Sequence, residues 1–140
     1  MTDAVAILRR LLLDDAGVTD LVANRVYASE IPATIIKPTE AQTMPMKLVN
    51  VAAAGGQDKR DSSLVIRPRL LVWSCGESYH EAGRVDRAVF EVLDALQRRI
   101  VDGVLAHSAL TGYPTTVKDA ETGWPGQQRT VTLILSEEEV

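Results

Sequence analysis

The stretch Tyr-His-Glu-Ala-Gly-Arg-Val-Asp-Arg-Ala-Val-Phe-Glu-Val-Leu-Asp-Ala-Leu-Gln-Arg-Arg-Ile, residues 79–100, decides the fold class. Its apolar side chains recur at the spacing that places them along one side of an α-helix: Ala82, Val85, Val89, Val92, Leu93, Leu96 and Ile100. The opposite side is charged: Arg84, Arg87, Glu91, Asp94 and Arg98. The pattern predicts one long amphipathic helix over about 79–100, capped by Ser78 or Glu77, that packs on a sheet through one face.

Strands are predicted after this helix. Residues 115–118 form one, and residues 129–135 form another, in which Val131, Leu133 and Leu135 alternate with polar side chains. Residues 119–126 between them are predicted to be a hairpin loop, and residues 136–140 a polar tail. The pattern of residues 105–110 leaves their structure open.

A second hairpin is predicted before the helix. Residues 46–54 and 64–73 are the strands, and residues 55–61 are a polar turn with two glycines. Pro68 has no backbone N–H to donate, so the second strand is expected to be an edge strand or to carry a bulge. Leu70 and Val72 share one face of this strand, and Arg67, Arg69 and Trp73 share the other.

The N-terminal part is predicted to begin with a helix, capped by Thr2 or Asp3 and apolar at Ala4, Ile7, Leu8 and Leu11. Asp14, Asp15 and Gly17 are expected to end it. A short second helix over 19–23, a short strand at 26–27 and a Pro-rich, flexible loop at about 31–45 follow. The whole order predicts a single α+β domain, residues 1–140, with a mainly antiparallel sheet and both helices packed on one face.

Composition narrows the function. The net charge is −4, which argues against direct binding to nucleic-acid phosphates. The single cysteine excludes an intramolecular disulfide, and the N-terminal charges do not fit a signal peptide. Since no apolar stretch approaches the length of a membrane span, we expect a soluble protein made in a cytoplasm, with no membrane partner.

No motif predicts chemistry. Gly55-Gly56 lacks the Lys-Ser/Thr of a phosphate-binding loop. Cys75 and His80 do not complete a zinc site or a nucleophilic pair. Asp119 and Glu121 have the chemistry to contact a cation, but solvated turn charges explain them equally. We therefore predict no enzyme activity, no catalytic residue, no cofactor and no metal.

Candidates for contacts with other subunits include Arg67, Arg69 and Trp124. Arg67 and Arg69 share a strand face, which is either solvated or an interface, since arginine is enriched at interface centres. Trp124 lies in a Trp-Pro-Gly turn. Its indole either folds back on its own sheet or is buried by a neighbouring subunit.

The chain as a whole resembles the tail-terminator (tail-completion) family of long-tailed phages. The resemblance covers about residues 4–136 and rests on the order of the elements, the chain length and short stretches of similar sequence. It is carried by Ala-Ile-Leu-Arg-Arg-Leu-Leu at 6–12, Val-Thr-Asp-Leu-Val-Ala-Asn-Arg-Val-Tyr at 18–27, Leu-Val-Asn-Val at 48–51, Arg-Leu-Leu-Val-Trp-Ser at 69–74 and Tyr-His-Glu-Ala at 79–82.

The resemblance implies a structural virion protein that assembles into a homo-oligomeric ring, usually a hexamer. Such a ring caps the head-proximal end of the tail tube, stops tube growth and presents a surface to the head-closure or connector protein. DNA passes through its lumen without sequence-specific binding. Contacts are expected in the loops at 32–45, 55–61 and 119–128, with Gln57, Asp58, Lys59 and Arg60 as candidates in the second.

Three alternatives stay open. The first is another neck component, a head-closure or connector-adaptor subunit. The second is a small cytosolic enzyme or ligand-binding domain, which needs a concave pocket with converging polar groups. The third is a general interaction module encoded in a prophage.

Overall fold

The computed structural model describes residues 3–29, 31, 46–54, 65–119 and 123–137. Within these ranges the helices are α1 (Ala4–Leu13), α2 (Ala16–Val22) and α3 (Tyr79–Asp94). The strands are β1 (Val26–Ala28), β2 (Leu48–Ala53), β3 (Val65–Ile66), β4 (Arg69–Cys75), β5 (Arg99–Val101), β6 (Val104–Thr111), β7 (Thr115–Lys118) and β8 (Pro125–Glu137). The predicted loop at 32–45, the turn residues 55–61 and the chain end 138–140 lie outside the described residues.

The strands form one sheet in the order β1-β2-β4-β8-β6-β5, with β3 and β7 also paired to β8. Every pairing is antiparallel except β1 with β2. This confirms the predicted α+β fold with a mainly antiparallel sheet. The 13-residue β8 is the central strand, since β3 and β4 line one side of it and β6 and β7 the other.

The helices cover one face of the sheet, the inner face. Apolar residues of all three helices share one hydrophobic core with alternate residues of the strands. From the strands come Val49, Val51, Leu70, Val72, Val131, Leu133 and Leu135. The helix side chains are Ile7, Leu8, Leu11, Leu12, Val18, Val22, Val85, Val89 and Leu93. The predicted alternation in β8 and the predicted apolar side of α3 are therefore confirmed.

Helix α3 is shorter than the sequence pattern predicts. It starts at the predicted cap, where the Ser78 hydroxyl accepts from the Glu81 N–H, but it ends at Asp94 rather than at Ile100. Arg98 has φ +43°, which interrupts helical geometry, and the chain then enters β5. Ile100 is 65% exposed, so the last residue of the predicted apolar stripe is not in the core.

A tight hairpin explains this early end. Asp102 and Gly103 both have positive φ, the geometry of a two-residue turn that suits the twist of antiparallel strands. It joins β5 to β6, with Val101 paired to Val104. Residues 105–110, whose structure the sequence left open, therefore belong to strand β6.

The predicted stop of α1 is partly wrong. Asp3 is the N-cap, as predicted, and Asp14 ends the helix. Asp15, however, begins α2, because its carboxylate accepts from the Val18 N–H at 3.1 Å. Helix α2 accordingly starts at Ala16, earlier than the predicted residue 19, and Gly17 lies inside it.

The strand that follows Pro68 is interior rather than at an edge, whereas β3, before Pro68, pairs with β8 among the described residues. β4 lies between β2 and β8, and β3 continues the same register along β8, with Ile66 opposite Leu135 and Arg69 opposite Thr132. The carbonyl of Pro68 accepts from the Leu133 N–H at 3.1 Å, whereas its nitrogen has no hydrogen to donate. Pro68 therefore interrupts the strand without shifting its register.

Candidate interaction surface

The outer face of the sheet carries the predicted arginines. By cross-strand register, Arg69 lies opposite Thr132, which in turn lies opposite Leu110. Arg69 and Arg67 are exposed, and Leu110 is 61% exposed. Leu71, Trp73, Thr130, Thr132 and Ile134 are half-buried and complete this face. Within the described ranges, no helix contributes to it.

One corner of the outer face is covered by the chain itself. Trp124 is 3% exposed and packs with the fully buried Leu48 and Cys75. Half-buried side chains surround this cluster: Tyr27, Ile31, Met46 and Trp73. The indole therefore folds back on its own sheet, which is the first of the two readings of this residue.

The Cys75 thiol in this corner is not an activated nucleophile. Burial raises its pKa to about 12, and the negative charge of Asp119 acts in the same direction, while contact with the Gly76 carbonyl lowers it. The thiol is therefore protonated at neutral pH and is a poor nucleophile. Within the described parts of the chain, no group of three or more His, Cys, Asp or Glu side chains is placed to hold a metal ion.

A buried ion pair joins α3 to β8. The Arg129 guanidinium donates through Nη2 to Asp86 Oδ2 at 2.6 Å and through Nε to Asp86 Oδ1 at 3.1 Å. Both residues are buried, and the guanidinium lies 4.9 Å from the centroid of the Phe90 ring. Sequence reasoning missed this pair. Its signal was a charged residue, Asp86, on the apolar side of α3, where only a partnered charge is tolerated.

The ion pair also fixes an exposed bend between β6 and β7. Arg129 Nη1 donates to the Gly112 carbonyl at 2.8 Å, and the Gly112 N–H donates to the Thr130 carbonyl at 2.9 Å. The next residue, Tyr113, is 95% exposed. Hydrogen bonds from the N–H and to the carbonyl of Gly112 thus hold the backbone beside Tyr113, whose aromatic side chain is exposed to solvent.

A groove of about 640 Å³ lies between α2 and α3. Its apolar lining consists of Leu11, Leu21, Ala88, Val92, Ala95 and Leu96. Exposed charged side chains also line it, among them Arg84, Arg87 and Glu91. An ion pair between Arg99 and Asp14, at 2.9 Å, belongs to the same lining.

The predicted contact residues are not brought together into one site. Arg67 and Arg69 lie on the exposed outer face, and Trp124 lies in the covered corner. Gln57, Asp58, Lys59 and Arg60 lie outside the described residues. Their roles in subunit or partner contacts stay predictions.

The comparisons with known proteins match the chain by structure and not by sequence. No family model and no curated protein sequence matches the chain. A solved structure does: the chain shares its fold with a protein in the virion of a native gene transfer agent particle. The TM-score is 0.68, and the match covers 96% of this chain and 99% of that chain at 12% sequence identity.

This match establishes the fold across the length of both chains. Among the residues that the structure describes, no helix is long and apolar enough to cross a membrane.

Proposed function

We propose that this chain is a structural virion protein, the subunit of a ring that caps the head-proximal end of a phage tail tube. The ring ends tube polymerisation and provides the surface on which the head is joined. Its partners are the tail-tube protein, the head-closure or connector protein and other copies of itself, which the family resemblance sets at six in the ring. The protein acts in the virion and is assembled in the host cytoplasm.

The observation that carries this proposal is the match to the gene transfer agent virion protein. It spans nearly all of both chains, so the whole fold is shared rather than one common motif. The sequence independently resembles the tail-terminator family. A virion subunit needs surfaces for assembly and no reaction centre, which fits the buried, protonated Cys75 thiol.

The exposed surfaces support an assembling subunit. A ring subunit contacts neighbours on two sides and the tube and connector on two others. The chain offers the outer face with Arg67, Arg69 and Leu110, the exposed Tyr113 and the groove between α2 and α3. Arginine and tyrosine are among the side chains that contribute most to interface stability.

The charge of the chain supports passage of DNA rather than its capture. With a net charge of −4 per subunit, a ring has no excess of cations to replace the counterions of DNA. DNA therefore slides through such a lumen without being held.

The test is electron microscopy of the purified protein mixed with tail tubes, with its mass measured in parallel. The tubes are purified from the phage or particle whose genes include this chain. Rings at one end of tubes of uniform length support the proposal and give the subunit number. Tubes that stay bare while portal or connector rings are bound move the assignment to a head-closure or connector-adaptor subunit. A monomer that binds neither contradicts both.

A further inference from the structure

We propose that Tyr113 of one copy inserts into the groove between α2 and α3 of a second copy, so that subunits join head to tail. This contact deepens the ring assignment by naming the surfaces that meet between neighbours. It rests on the proposed function only for the closure of the contact into a ring.

Tyr113 has the properties of an interface anchor. It is the most exposed of the large apolar side chains in the described ranges, at 95%, and Leu110 on the same edge is 61% exposed. The bend that carries it is held by Arg129, and Pro114 restricts the backbone on its other side. Because the backbone is already ordered, little conformational entropy is lost when the ring is buried.

The groove has the chemistry to receive a tyrosine. Ala88 and Val92 offer apolar contact to the faces of the ring. Arg87 supplies a cation that interacts favourably with an aromatic face, and the Glu91 carboxylate is an acceptor for the phenol O–H. A volume of about 640 Å³ is ample for one aromatic side chain and the bend beside it.

The two surfaces lie on opposite flanks of helix α3. Arg129, which holds the Tyr113 bend, stacks on Phe90, whereas Ala88 lines the groove. Residues two apart on a helix point about 160° away from each other at 3.6 residues per turn. Tyr113 therefore does not reach the groove of its own chain, and the groove that it enters in this proposal belongs to a second copy.

Head-to-tail joining predicts one of two distinguishable assemblies. A contact between two different surfaces, repeated from copy to copy, gives a ring where the rotation closes and an open filament where it does not. The alternative is a two-fold dimer, in which Tyr113 of each copy meets the groove of the other and assembly stops at two copies. The arrangement of the contact is therefore testable apart from its strength.

Cross-linking between introduced cysteines that leave Tyr113 and Ala88 in place tests the arrangement. Thr115→Cys, two residues from Tyr113, and Ala95→Cys, in the lining of the groove, are made in separate chains and mixed, and also combined in one chain. Each sample is treated with a short bis-maleimide. Wild type, in which the Cys75 thiol is buried, is the background control. We expect cross-linked dimers in the mixture, none above background in either variant alone, and a ladder of trimers and larger species from the chain that carries both cysteines. Dimers alone from the doubly substituted chain indicate two-fold pairing and overturn the head-to-tail arrangement. A mixture without cross-links overturns the contact.

Light scattering across a concentration series tests the contribution of the side chain. We expect Tyr113→Ala to weaken self-association at least tenfold, with an unchanged unfolding temperature, because the side chain makes little contact within its own chain. The matched control is Ile100→Ala, which removes a 65% exposed apolar residue that belongs to neither surface. Unchanged self-association of Tyr113→Ala overturns the proposal.

The two proposals fail in distinguishable ways. If wild-type rings cap tubes and Tyr113→Ala rings do so equally well, the contact is wrong and the ring assignment stands. If the heterologous cross-link forms but no assembly binds tubes or connectors, the contact stands and the proposed function is wrong.

Discussion

The Trp73 indole lies directly against the Cα of Gly126, on the outer face where β4 pairs with β8. A Cβ built at position 126 would overlap the Nε1 and Cε2 atoms of this indole. Cys75 is the residue opposite Gly126, so the glycine lies at the edge of the Trp124 corner. Because position 126 has no side chain, the Trp73 indole can extend from β4 over β8.

We expect Gly126→Ala to destabilise the fold by about 1–3 kcal/mol, the usual cost of forcing extra volume into a packed site. Chemical denaturation followed by tryptophan fluorescence measures it. The matched control is Gly83→Ala in α3, where an added Cβ meets nothing within 4 Å. Because alanine favours a helix over glycine, this control should gain about 0.5–1 kcal/mol. Equal stabilities of the two variants would contradict the close packing of Trp73 on Gly126.

The Asp86–Arg129 pair should be costly to break on one side only. Asp86→Asn leaves a buried guanidinium without its counter-charge, and we expect a loss of about 3–5 kcal/mol in unfolding free energy. The exposed pair is the control: Asp14→Asn should cost no more than about 1 kcal/mol. Replacing both buried partners by leucine and methionine should recover most of the loss. A double variant as unstable as Asp86→Asn would show that the ion pair itself is required.

The raised pKa of Cys75 predicts a pH dependence of stability. The thiol stays protonated in the folded chain up to about pH 12, whereas in the unfolded chain it ionises near its ordinary value of 9.0. Its contribution to stability is therefore complete below pH 9 and is lost as the pH rises from 9 towards 12. We expect the stability difference between wild type and Cys75→Ala to narrow over pH 8–11 in thermal unfolding. A difference that does not change with pH would rule out this burial effect.

Ala23 offers a stabilising substitution. It ends α2 with φ +56° and ψ −123°, a conformation that glycine adopts without strain and alanine does not. We expect Ala23→Gly to raise the free energy of unfolding by about 1 kcal/mol. Ala95→Gly at the end of α3 is the control, because Ala95 has ordinary right-handed geometry and glycine there should lower stability. A loss of stability in Ala23→Gly would speak against the strained backbone.

Periodicity predicted much of this fold and failed where local signals compete with it. The apolar spacing of α3 and the alternation of β8 gave the two largest elements, because each buries one face in the core. Leu96 and Ile100 continue the helical spacing by coincidence, so the end of α3 was predicted too late. The Asp102-Gly103 turn is the stronger local signal. Asp15 was predicted to end α1, because a carboxylate is unfavourable at the C-terminal end of a helix. The same carboxylate is favourable before the first turn of the next helix, and it caps α2.

The candidate interaction surfaces were less predictable than the fold. Exposed arginines on a strand face follow from alternation, so the exposure of Arg67 and Arg69 was predicted correctly, and their role in contacts stays a prediction. Tyr113 was missed, because its exposure depends on a bend fixed by Arg129 and Asp86, which are far apart in the sequence. The groove depends on the packing angle of α2 and α3, which no spacing in either helix encodes.

The position of β8 at the centre of the sheet has a consequence for biosynthesis. Every other described strand is translated before it, yet β4 and β6 meet only through β8. A nascent chain that has not yet exposed Gly126 to Glu137 holds two separate sheet fragments with unpaired edges. Pairing at this sequence separation is slow compared with local hairpin formation. The sheet is therefore completed late, when β8 inserts between the fragment that contains β4 and the fragment that contains β6. We expect chaperones and competing strands to act at that step.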